Sequence, residues 1–178
     1  MSYDTEIAIF GKVSNPEAIW ELALAAASES TVNWINRFDT PDFVKMLEQA
    51  AAEGRAVTLT KSDTTDLFDN VTSCCQFAGL SYIVKFGERG AEGFDRGFSW
   101  RPGMPRQQQF HLDGRNATLK VAHVEKAAQQ GIDEVFALIE RIKAHTTAGQ
   151  VEIAPGFADA YRTYAVGEEA PVVSSPAP

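Results

Sequence analysis

The residues of this chain best suited to chemistry are His111 and His123, with Asp113 beside the first, in a β-rich stretch. A carboxylate can orient an imidazole as a general base, and two imidazoles can share a metal ion. Strand geometry limits both ideas. With an even-length turn around residues 113–116, pairing places His123 on the opposite sheet face from His111. An odd-length turn restores the face but leaves the pair roughly 13 Å apart along the strands, whereas zinc needs nitrogens about 2.0–2.1 Å from one ion. Ordinary strand histidines are the plainer expectation, and an unconventional enzyme site near His111 and Asp113 stands as an alternative. No catalytic and no metal-binding residue is assigned.

Other candidates have structural explanations. Cys74 and Cys75 are adjacent, so they cannot clip distant segments together, which suits a reducing compartment. A helix over residues 65–78 would put Leu67, Phe68, Val71, Cys74, Cys75 and Ala78 on one side, making buried, inert thiols the expectation. Gly87, Gly90, Gly93 and Gly97 suggest a phosphate cradle, yet they join strands instead of opening a helix, so a hairpin loop is expected. There is no G-x-G-x-x-G, G-K-[ST], G-x-S-x-G or H-E-x-x-H string, and no cofactor is expected.

Charge is sorted along the chain. Residues 81–126 hold 8 basic and 5 acidic side chains, whereas the whole 178-residue chain has a net charge of −8. Arg96, Arg101 and Arg106 lie there among Phe94, Phe98, Trp100 and Phe110, a mixture suited to an interface or an anionic ligand. In Phe94–Trp100, the bulky Phe94, Arg96, Phe98 and Trp100 share one strand parity and are expected to pack beneath a helix starting at Ile132, the alternative being that part of Trp100 is exposed with Arg101, Arg106 and Gln107 to Gln109 as a hot spot. On the acidic side, Asp63, Asp66 and Asp69 recur every third residue where a helix should begin. Capping explains them, and an anionic face for a basic partner is the functional alternative.

The elements that must position these residues follow from periodicity. Residues 6–13 read as a strand, and Ser14 with Glu17 has capping-box spacing before a helix to about Ser30. Residues 31–38 suit either a short strand or more helix. Asp39, Thr40 and Pro41 start another helix that ends at Gly54, followed by a strand over residues 56–61. From Ser81 the period becomes two through residues 82–86, 94–100, 110–112 and 119–123, the pattern of an antiparallel meander. A helix from Ile132 should cover one sheet face, residues 151–153 suit a short strand, and Phe157, Tyr161 and Tyr164 a last helical turn or two.

The expected architecture is therefore one α+β domain over residues 1–166, with a mixed or mainly antiparallel sheet of five to seven strands carrying helices. A disordered tail is expected over residues 167–178. The expected function is a non-enzymatic cytoplasmic interaction module, of inhibitor, immunity-like or accessory type, acting on a macromolecular partner, with protein favoured over nucleic acid. Arg96, Trp100, Arg101, Arg106, Asp63, Asp66 and Asp69 are its expected contacts. Binding of nucleic acid or an anionic ligand through residues 81–126 is the second reading. No apolar run reaches the roughly 18 residues of a membrane span, so no membrane role is expected.

Overall fold

The computed structural model describes residues 3–30, 40–88, 93–114 and 116–169. Among them are β1 (Tyr3–Val13), α1 (Pro16–Ser30), α2 (Thr40–Ala52), β2 (Val57–Thr64), α3 (Asp69–Phe77), β3 (Ser81–Glu88) and β4 (Phe94–Trp100). They are followed by β5 (Gln108–Gly114), β6 (Asn116–Thr118), α4 (Val121–Gln130), α5 (Ile132–Thr146), β7 (Val151–Ile153) and α6 (Phe157–Glu169). The sheet runs β2-β1-β3-β4-β5-β6, each neighbour antiparallel, while β7 pairs parallel with the end of β1. This is an α+β fold with helices on a mostly antiparallel seven-stranded sheet.

Strand alternation sorts the sheet into two unlike faces. Ile7 and Ile9 of β1 align with Leu59 and Val57 of β2 and with Val84 and Tyr82 of β3. That face meets Leu22 of α1, Phe43 and Leu47 of α2, Val71 of α3 and Phe157 of α6 in the main core. The other face carries Ala8, Phe10 and Ile83, joined by Ala56 and Phe110. Here α5 lies over β4, β5 and β6. Gly97 allows Phe110 to cross β4 closely, since a Cβ there would collide with the ring and with the Val84 carbonyl oxygen.

Several boundaries depart from the expected ones. The Asn15 side chain, and not a Ser14–Glu17 box, accepts the Ala18 N–H at 3.3 Å, with Pro16 as the first helical residue. The helix expected from residue 65 starts at Asp69, because β2 continues to Thr64 and Phe68 turns the chain with φ 65°. The strand expected over residues 119–123 is absent; β6 stops at Thr118 and His123 is helical. Val121 and Val124, three apart, satisfy a helical face as well as a strand parity. The bulky parity of β4 faces the main core with Tyr82, so the helix from Ile132 covers the lighter parity instead. Residues 31–38 lie outside the described residues, as does the expected tail from residue 170, while α6 itself reaches Glu169.

Candidate functional site

The structure gives most of the expected partner contacts internal work. Trp100 stacks on Tyr82 with centroids 6.2 Å apart and donates its indole N–H to the Met104 carbonyl at 3.0 Å. Tyr82 is itself held, its hydroxyl accepting from the Gln76 and Gln107 side chains at 2.7 and 2.8 Å. Arg96 pairs with Asp95 at 3.4 Å and lies over the Phe86 and Tyr3 rings. Arg101 lies over the Phe10 ring, 4.9 Å from its centroid, and donates to the carbonyls of Ala144 and Thr147. It thereby fastens the C-terminal end of α5 to β4. Arg106 stays exposed in the β4–β5 connection.

The three aspartates belong to three successive segments. Asp63 belongs to β2, and its side chain lies outside the described residues. Asp66 precedes α3 and accepts the Lys61 ammonium at 2.7 Å and the Asp69 N–H at 3.2 Å. Asp69 is the exposed first residue of α3. Behind Asp66, the buried Lys61 also pairs with Glu29 at the end of α1. Burial pushes the Glu29 carboxyl above its ordinary value, against the opposing bond and charge of Lys61. Sequence reading missed this cluster because the charges come from segments 32 residues apart.

The histidines are distributed around one cleft of about 280 Å³ between α5, β5 and the β6–α4 connection. His123 borders it from α4, His145 from α5 and His111 from β5. His111 aligns with Arg96, whose parity belongs to the opposite face, so its ring is directed away from the ring of His145. His145 Nδ1 lies 3.4 Å from the Ser99 hydroxyl. Ser99 is fully buried, so this contact positions the imidazole and offers no accessible nucleophile. Burial, then Arg101 and Arg141, hold the His145 pKa below the ordinary imidazole value. Asp113 is exposed at the tip of the β5–β6 hairpin, opposite Asn116.

Among the described residues, no group of three or more His, Cys, Asp or Glu is placed to hold a metal ion. Burial pushes both thiols up, Cys75 furthest, which lowers their nucleophilicity at neutral pH. A wider trough of about 560 Å³ crosses the sheet face near Ala8, Thr58 and Gly149, but its charges are mixed, with Lys85 3.6 Å from Glu6. No described helix is long and apolar enough to cross a membrane.

The feature that sequence reading did not identify is the outer side of α5. The helix from Ile132 was expected to cover a sheet face, yet Ile132 and Phe136 on it are 65% and 59% exposed, and no residue of α5 is fully buried. Compared with known proteins, the chain matches no family model, no curated sequence and no solved structure.

Proposed function

We propose that this chain is a non-enzymatic interaction module that docks a basic partner protein on the outer side of α5. The exposure of Ile132 and Phe136 carries this reading. Four residues apart on one helix, they stand side by side, and large apolar groups presented together on a rigid element supply the centre of an interface. Their surroundings select the partner by charge. Asp133 and Glu134 follow Ile132 directly in the first turn, which holds no Lys, Arg or His, while Glu140 further along is paired with Lys143 at 2.8 Å. A second copy would oppose like charges, and an anionic lipid surface would be repelled, whereas a cationic protein surface with an apolar pocket is complementary. An inhibitory, immunity-like or accessory role fits a surface that binds without chemistry.

The test compares capture by the wild-type chain with capture by the Ile132→Ser, Phe136→Ser double variant. Support would be a basic protein retained by the wild type, released by salt and lost from the variant. A partner held equally by both forms, or self-association through this face, would overturn the reading.

A further inference from the structure

We infer that the cleft between α5, β5 and the β6–α4 connection binds a small phosphomonoester with an apolar body. This site is separate from the outer side of α5 and does not depend on the docking proposal. Lys120 and His123 contribute from the start of α4, and Arg141 and His145, four residues apart, from α5. None of the 12 lining residues is Asp or Glu. In a chain with 24 acidic and 16 basic residues, that is a local reversal of sign. Low-dielectric walls focus such a field on an entering anion.

The lining also selects the shape of the ligand. Phe110, Leu119 and Ile142 give the cleft apolar surface, and the Thr118 hydroxyl adds a donor, whereas that of Thr146 donates to the Ile142 carbonyl at 2.8 Å. Two permanent cations with two imidazoles exceed what one carboxylate needs and suit a dianion, while the apolar surface suits the group esterified to it. Lys120 is the N-cap residue of the ten-residue α4 and His123 lies in its first turn, so the positive end of that helix borders the same space. A dianion seated beside His145 would favour its protonated form, against the burial and the Arg101 and Arg141 charges that now oppose it.

The test titrates the full chain with phenyl phosphate, inorganic phosphate and benzoate, by calorimetry and by the NMR signals of the histidine rings. Phenyl phosphate should bind saturably and more tightly than either other probe, raising the His145 pKa. Arg141→Gln should weaken it by about tenfold or more. Arg162→Gln, which removes an equal charge from the exposed surface of α6, should leave binding unchanged. Absence of saturable binding would overturn the site, as would equal losses from the two arginine variants. Benzoate binding as tightly as phenyl phosphate would overturn the phosphate assignment.

Discussion

The Arg101 guanidinium covers the Phe10 ring, with its Cζ 4.9 Å from the centroid, and reaches on to the carbonyls of Ala144 and Thr147. It thus joins β1, β4 and the end of α5, none of whose residues is fully buried. Arg101→Ala removes the charge-assisted bonds and the cover on the ring together. It should cost about 1–2 kcal/mol in urea unfolding. Hydrogen exchange should rise in α5 ahead of α1, because the lost contacts belong to α5.

Lys61 lies on β2, an edge of the sheet, and turns a charge inward, which discourages another strand from pairing there. Its removal would leave Glu29 buried beside Asp66 without a cation. Lys61→Ala should therefore destabilise the chain by about 3–5 kcal/mol, and combining Lys61→Met with Glu29→Gln should recover much of the loss. Equilibrium unfolding of the two forms measures the difference.

The same cluster sets a pH dependence. Burial raises the Glu29 pKa above 4.5 despite Lys61, whereas for Asp66 the bonds from Lys61 and from the Asp69 N–H outweigh burial and leave it below 3.8. The stability that Glu29 contributes is complete below 4.5 and is lost as pH rises through its raised value. That of Asp66 is present above 3.8 and lost as pH falls through its lowered value. Unfolding followed across roughly pH 3 to 8 should show Glu29→Gln removing the decline on the high side and Asp66→Asn the decline on the low side.

Gly97 leaves room for Phe110 across β4, with the Val84 carbonyl directly beneath. Because that carbonyl is fixed in the β3–β4 ladder, it cannot give way as a flexible side chain would. Gly97→Ala should cost about 1–3 kcal/mol or more, read from the denaturation midpoint. The Phe110 ring signals should shift in the NMR spectrum.

Elements with one dominant period were legible in the sequence: β1, α1, α2 ending before Gly54, and the meander from β3 to β5. Residues 119–123 misled because Leu119, Val121 and His123 alternate as a strand would, while Val121 and Val124 also meet a helix's spacing. The decisive factor was tertiary, with α4 packing against α5. The start of α3 was obscured by Phe68, whose left-handed φ of 65° is rare for a bulky residue and has no sequence signature. For the candidate site, the individual histidines and arginines were visible, but their distribution was not. Strand parity could place Trp100 in a packed face, whereas the exposure of Phe136 depended on the tertiary placement of α5.

Site-directed photo-crosslinking in the native cell reads out the docking proposed for the outer side of α5. A photo-reactive amino acid placed at Phe136 should capture one basic protein, with the same adduct from Ile132 and none from Glu53, an exposed residue outside the face. Adducts at Phe136 with only a second copy of the chain, or the same adduct at Glu53, would contradict it.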